Sequence, residues 1–508
     1  MAKSLNAKIV IVGCGISGIA AAHRLIKAGY RHVRILEATG RAGGRIKTSR
    51  LGDKVVEIGA NWIHGPSEEN PVFCLARQYG LLDPEALTSE NQAVDIGGHP
   101  LWIPNFFSSS GRKLNPEDVS LALEIFADLL NQGSEFQNQK GEPFASVGEF
   151  IRSEVQTRQS QQNNAVVKED EDPAVRSLRL CAISNMLKVE CCVNGAHSMD
   201  EVGLGAFGQY KTLPGLDCTF PGGFEGLIQK LMSELPDDVV TYNRPVRRVH
   251  WNNAECGENP VTVECHDGEK MLADHVIVSV PLGYLKKECS SLFQPPLPLH
   301  KLHSIQRLGF GTNNKVFVEF DEPWWDADCE VIYLLWEDEQ DAMVDQVSDV
   351  QKSWIKKLFG FTVLKPTERY GHVLCGWIAG HESEYMETLS ELEVAHAITQ
   401  LIRRFTGNPV ITPRRVLRSR WFSDPWTCGS YSYLGKGCSE QDLDNMMEPL
   451  PPRGSKSQPL QVLFAGEATH PSYFSTVHGA LLTGRREADR LISHYSSTSL
   501  SEVPKSKL

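Results

Sequence analysis

The sequence predicts an α/β fold, α+β when the whole chain is counted, nucleated by a strand, glycine loop, helix and second strand at its start. Three observations carry this. Residues 8–18 read KIVIVGCGISG, an apolar run that ends in Gly13, Gly15 and Gly18. An acid, Glu37, closes HVRILEA nineteen residues beyond the last of these glycines. Related apolar segments return far along the chain as ADHVIVSVPLGYL and VLFAGEATHPSYFSTVHG, so the nucleus is expected to be discontinuous.

Each part of the nucleus has a mechanical reason. Lys8–Val12 is almost wholly Ile and Val, the composition of a central parallel strand buried on both faces. Gly13 allows a tight turn, Gly15 lets backbone approach a pyrophosphate, and Gly18 lets the helix pack on the strand. Cys14 sits among them and is grouped with them. A helix from about Ile16 to Ala28 would aim its positive end at phosphate, and Gly29 ends it. Glu37, at the end of the second strand, can accept from ribose hydroxyls. The spacing describes a Rossmann-type unit; its plain alternative is a glycine-rich turn in an ordinary βαβ unit. Next comes Gly40-Arg41-Ala42-Gly43-Gly44-Arg45, then Thr48. A second glycine pair with flanking arginines suits a longer cofactor lying across the sheet edge. Arg45 is the better placed of the two to neutralise pyrophosphate, unless both are solvated loop charges.

Composition narrows the class. The 508 residues suggest about three domain-sized units, and 41% hydrophobic with 22% charged residues describe a globule. No run approaches the roughly eighteen apolar residues of a membrane span. MAKSLNAK has no apolar signal core, so export by that route is not expected. A net charge of −12 argues against nucleic acid as a partner and suits a cationic substrate. Thirteen cysteines form no CxxC pair and no metal-like cluster, and their number is odd. Several, such as Cys265 and Cys375, lie in apolar strand patterns and read as buried thiols, with the adjacent Cys191 and Cys192 inert. No metal is expected.

Along the chain, residues 1–85, 218–300 and 416–495 read as a discontinuous dinucleotide-binding domain. The second block holds VVTYNRPVRRVHW and a strand pair across Asp267-Gly268, and the third ends in a helix over 477–494. A helical, polar insertion within 86–217 and a strand-rich stretch within 301–415 would form a second, substrate domain of mixed sheet and helices. Residues 154–172 look like an exposed loop or mobile link, 450–459 like another loop, and 496–508 like a flexible tail.

The blocks RAGGR (41–45), GANWIHG (59–65), DPWTCGSYSY (424–433), FAGEAT (464–469) and STVHGALLTGRREADRLI (475–492) resemble those of the flavin-dependent polyamine oxidases, in the flavin monoamine oxidase superfamily. The likeness extends over nearly the whole chain. Spermine oxidase and the lysine-specific histone demethylase share most of these motifs, so they mark the superfamily more firmly than the substrate. The resemblance implies an amine-oxidase-like fold and an FAD cofactor. It assigns the adenosine ribose to Glu37, the phosphates to Arg45, backbone contact with adenine to Val246, and the ribityl chain to Glu467. Gly59, Ala60, Asn61 and Trp62 would line the flavin, with Trp421 and Trp426 also in the cofactor site. Thr476 and Val477 would face the pyrimidine end of the ring, where a helix N-terminus stabilises negative charge.

Lys315 is the residue expected to carry chemistry. By pattern alone, in NNKVFVEF, it is an exposed strand lysine sharing a face with Phe317 and Glu319. The family instead places a lysine here, bonded through water to flavin N5. His64 corresponds to a histidine that contacts substrate, though it could equally be a satisfied loop histidine; Asn313 is a further substrate candidate. Monoamine oxidases tether flavin through a cysteine where this chain has Ser430, with Cys428 two places too early, so the FAD should be non-covalent. They also flank the amine with two tyrosines; Tyr431 keeps one, and Thr476 stands where the other would be. Such a pocket suits a longer, thinner amine, with Trp62 and Tyr431 as an aromatic wall for a cationic chain.

The implied reaction moves hydride from a C–H beside nitrogen to flavin N5; hydrolysis follows, and O2 is reduced to hydrogen peroxide. Ser506-Lys507-Leu508 matches the tripeptide read by the peroxisomal import receptor, so a peroxisomal location is expected, with the cytoplasm as a second one; a monomer is expected. The peroxisomal animal member of the family oxidises N1-acetylated spermine and spermidine at the exo side of the secondary amine. Ser184 and Leu187, in the insertion, are candidates for the acetyl end. Spermine oxidation and a non-catalytic flavoprotein scaffold are the alternatives.

Overall fold

A computed structural model describes residues 4–94, 98–99, 102–137, 144–160, 172–252, 260–339, 343–451 and 460–501. Its centre is a five-stranded parallel sheet in the order Val462–Phe464, His275–Val278, Lys8–Val12, His32–Leu36, Val240–Thr241. Ile9 to Val12 are at most 5% exposed, as the run of β-branched residues requires of a strand covered on both faces. On one face lies the helix Ile16–Lys27, and against it the helix Val477–Ser501. Gly18 makes the first contact possible: a Cβ there would stand 2.1 Å from the Gly13 carbonyl oxygen and 3.2 Å from Ile11 Cγ2. Gly13 itself has φ +105°, a turn closed to most side chains.

The other face carries Val10, Val12, Val276 and Val278 into a core shared with a four-stranded sheet and the helix Leu282–Leu292. That sheet contains the antiparallel pair Val261–Cys265 and Lys270–Ala273, turning across Asp267-Gly268. A seven-stranded mixed sheet stands apart from both, and in it Asn313–Phe320 pairs along its whole length with His372–Ala379. Helices Pro116–Ser134 and Pro173–Asn194 cover one of its faces, and Glu391–Thr406 the other.

Three sequence expectations are corrected. Residues 154–160 are helical, not a loop, as part of Val147–Ser160. Val147, Phe150, Ile151 and Val155 are buried at i, i+3, i+4 and i+8, and the intervening Glu, Gln and Arg residues favour helix. The C-terminal helix continues past Ser496 to Ser501. The insertion is not wholly helical: Pro104–Ser108 joins the seven-stranded sheet, parallel to Val331–Leu335. Residues 161–171, 452–459 and the tripeptide Ser506-Lys507-Leu508 lie outside the described residues. Among the described residues no helix is long and apolar enough to cross a membrane, and every cysteine is free.

Gly18→Ala is expected to force the first helix off its strand and cost about 2 kcal/mol of stability, read as a lower midpoint in chemical denaturation.

Candidate active site

A cavity of about 940 Å³ runs from the N-terminal glycine loop to the seven-stranded sheet. Gly13, Gly15, Ile16 and Ser17 form its first wall, and Gly15 precedes the first helix without a capping side chain. The unsatisfied N–H groups and positive end of that helix therefore meet whatever lies there. Glu37 stands beside them. Its Oε2 accepts from Cys14 N at 2.8 Å, and its Oε1 from Thr39 N at 2.8 Å and Thr39 Oγ1 at 2.7 Å. Cys14 faces the core, where burial pushes its thiol up to about 12. Gly18 is a packing residue away from the cavity, whereas Val246, Trp421 and Trp426 line it.

The two arginines of the GRAGGR loop divide their work. Arg41 spends its guanidinium on the loop's own carbonyls, at Ala42, Gly44 and Ile46. Arg45 reaches into the cavity, donating from Nη1 to Ser430 O and to Glu467 Oε1, both at 2.9 Å. The other oxygen of Glu467 accepts from Ser432 Oγ at 2.5 Å and Ser475 N at 2.7 Å. This buried carboxylate thus ties three chain segments together. Thr476 and Val477 line the cavity at the start of the last helix, where Thr476 Oγ1 caps Gly479 N at 3.0 Å.

Gly59, Ala60, Asn61 and Trp62 form the facing wall. Lys315 reaches them from the seven-stranded sheet. The sequence pattern made it an exposed strand lysine; it is 5% exposed. Its Nζ donates to Glu57 O at 2.8 Å and Gly59 O at 2.6 Å, and lies 4.7 Å from the ring centre of Trp377, its cross-strand partner. Burial pushes its ammonium down to about 8, against the opposing pull of Cys375 and the Glu57 carboxylate. An ammonium has three donors. Two are taken by carbonyls, and the amine lines the cavity.

The far end holds His64, Asn313 and Tyr431. His64 Nδ1 is 2.6 Å from Asp217 Oδ2. Asn313 Nδ2 donates to Tyr431 Oη at 2.7 Å, and the tyrosine hydroxyl donates in turn to Cys192 O. Asn313 Oδ1 is buried without a protein partner among the described residues. Ser430 Oγ is engaged, accepting from Asn313 N at 2.8 Å and donating to Gly311 O at 3.1 Å. Cys192 is the cysteine on the wall, its thiol pushed up to about 12 by burial.

Ser184 and Leu187 do not reach the cavity. Both are fully buried, Ser184 Oγ bonded to Glu339 O at 3.2 Å and Leu187 in the core, because the cavity takes only the last turns of their helix. Those turns supply Val189, Glu190, Val193 and Asn194. Burial raises the Glu190 carboxyl to about 7, opposed by the hydrogen bond from Asn194. Trp62 and Tyr431 both line the cavity, and Trp62 stacks on Trp377 at 5.3 Å and 17°. His99 packs edge-on to Trp62 at 4.5 Å. Sequence reading missed Trp377, Asp217, His99 and Glu190. Only Glu190 left a signal, an acid inside the apolar helical pattern LKVECC. Away from the cavity, His197, His381 and Glu384 gather donor atoms within 4.8 Å, but they are already bonded to one another, at 2.7 Å and 2.9 Å.

A glycine loop at a helix N-terminus and a distant buried amine share one cavity, an arrangement that suits a dinucleotide oxidoreductase, and the sequence specifies the class. The profile of the flavin containing amine oxidoreductases matches residues 16–492, and the chain belongs to that family. It is 49% identical over 495 residues to the human peroxisomal N(1)-acetyl-spermine/spermidine oxidase, spanning 96% of this chain and 95% of that protein. The bovine protein of the same name is 48% identical over 96% of this chain and 94% of its own length. Among solved structures, a putrescine oxidase variant redesigned in its cofactor binding shares the fold, with a TM-score of 0.62 at 20% identity, over 96% of this chain and 99% of that one.

Glu467→Ala, which strands Arg45 and two donors, is expected to cost roughly 3 kcal/mol in chemical denaturation, and Glu467→Gln markedly less.

Proposed function

We propose that this chain uses non-covalent FAD to oxidise N1-acetylspermine and N1-acetylspermidine at the exo side of the secondary amine. The products are 3-acetamidopropanal, spermidine or putrescine, and hydrogen peroxide. The observation that carries this is the single cavity joining the Gly15 and Glu37 end to the buried Lys315 amine and continuing to the acids Glu190 and Asp217. In this reading residues 1–85, 218–300 and 416–495 bind the cofactor, and 86–217 with 301–415 bind substrate.

The residues present fit the cofactor. Open space above Gly15, where an added Cβ would meet nothing within 4 Å, gives a cradle for pyrophosphate at a helix N-terminus. Glu37 and Val246 hold the adenosine end, Arg45 and Glu467 the middle, and Gly59 to Trp62, Trp421, Trp426, Thr476 and Val477 the ring. The engaged hydroxyl at Ser430 leaves no thiol there to tether it. Bound flavin supplies a hydride acceptor that O2 can reoxidise. Lys315 positions water from its remaining donor. Asn313, His64 and Tyr431 orient the amine, and the carboxylate of Glu190 faces the cationic chain. The stacked indoles of Trp62 and Trp377 give the neutral part of the chain an apolar bed. The names of the human and bovine relatives support the acetylated substrate and a peroxisomal setting, to which Ser506-Lys507-Leu508 would direct a monomer through the import receptor.

Only a neutral amine can release hydride, and deprotonating one of pKa about 10 at pH 7 costs roughly 4 kcal/mol. Turnover is therefore expected to rise from pH 7 to 9. Lys315 loses its proton near pH 8 in the same interval. Lys315→Met should lower turnover roughly a hundredfold and remove the step near pH 8, leaving the substrate limb alone. Anaerobic mixing with N1-acetylspermine should bleach the flavin faster than spermine does. Faster bleaching by spermine would reassign the substrate, and no bleaching by either would leave a non-catalytic flavoprotein. Glu190→Gln should raise KM for N1-acetylspermine about tenfold with little change in kcat.

A further inference from the structure

We infer that Asp217 is a positioning residue that fixes the proton and orientation of His64, an inference that rests on the reading of His64 as a substrate contact. The backbone sets up the pair. Trp62–Ile63 runs antiparallel to Cys218–Thr219, with Trp62 opposite Thr219 and Ile63 opposite Cys218. One step further in the same register puts His64 opposite Asp217, the separation at which cross-strand side chains meet.

The carboxylate is used on both oxygens. Oδ2 lies 2.6 Å from His64 Nδ1 and 3.3 Å from His99 Nδ1, and Oδ1 accepts from Gly65 N at 3.0 Å. Its side chain is 3% exposed. Burial alone would raise its pKa, but bonds and charges from His64, His99 and the Gly65 amide hold it below the ordinary carboxylate value. An ionised carboxylate only accepts, so His64 must carry its proton on Nδ1 when neutral. Nε2, without a protein partner among the described residues, is left as an acceptor on the cavity wall for an N–H of the substrate.

The surroundings hold this arrangement in place. Asn70 Nδ2 fastens the His64 carbonyl at 2.7 Å. His99 is packed between Trp62 and Trp102 at 4.5 Å and 5.0 Å, and burial pushes its pKa down to about 4, so it stays neutral. His478, the other titratable ring near His64, is likewise pushed down to about 3 by burial.

Asp217→Asn is the direct test. Its amide N–H can donate to His64 Nδ1, which moves the ring proton to Nε2 and turns an acceptor into a donor. With N1-acetylspermine, kcat/KM should fall roughly tenfold to a hundredfold, while flavin content and the thermal midpoint stay near wild type. Asp217→Glu, which keeps an acceptor-only group, should retain more activity than Asp217→Asn. In a His64→Ala background, Asp217→Asn should add no more than about a twofold loss. A full additional loss there, or better activity in the Asn variant than in the Glu variant, would overturn the inference while leaving the polyamine oxidase reading intact. If His64→Ala alone leaves kcat/KM unchanged, the substrate contact fails and the inference fails with it. Absence of bleaching by wild type would count against the proposed function itself.

Discussion

A primary amine taken out of water among aromatic and apolar side chains must find partners or lose its charge. The arrangement around Lys315 does some of each. Two carbonyl oxygens, from residues 57 and 59, accept from it, and the face of Trp377 lies under it. The remaining desolvation lowers its affinity for a proton. Because the lysine belongs to the seven-stranded sheet and the carbonyls to the segment that follows the first nucleotide-binding helix and strand, the contact also sets how the two halves of the cavity meet. The Arg45–Glu467 pair makes a second tie, drawing Ser475, just before the last helix, and the strand Tyr431–Tyr433 to the glycine-rich loop.

Charge along the cavity is graded. Helix N-termini and Arg45 make the inner stretch suited to phosphate and to a ring that gains electrons. Farther out, Glu190 and Asp217 make the lining suited to cations. Lys315 stands between, and burial lowers its hold on a proton.

Local features of the fold were legible in the sequence and long-range ones were not. The run at 8–12, the turn at Gly13, the close packing at Gly18 and the acid at 37 each follow from neighbours within one βαβ unit. Lys315 illustrates the opposite case. Its own strand pattern pointed to solvent, and only the family resemblance pointed inward, because the strand lies covered on both faces in a mixed sheet. Trp377 and Asp217 depend on pairings 62 and 153 positions away, at Lys315 and His64, which no local pattern encodes. Ser184 and Leu187 lie one to two turns before the residues of Pro173–Asn194 that line the cavity, where that helix packs into the core. The helix over 154–160 was hidden by its polar outer face, although its inner face kept helical spacing.

The central sheet has a consequence for the way the chain is made. Three consecutive strands come from residues 462–464, 275–278 and 8–12, and the first of these, at one edge, is the last of the sheet to leave the ribosome. Parallel neighbours so far apart in the chain cannot close while synthesis is under way. The glycine loop and first helix emerge long before Glu467, Thr476 and Val477, which line the same cavity. The nucleotide cleft is therefore incomplete until residues 462–477 have joined the fold, and until then the edge at His275–Val278 stands without its neighbour.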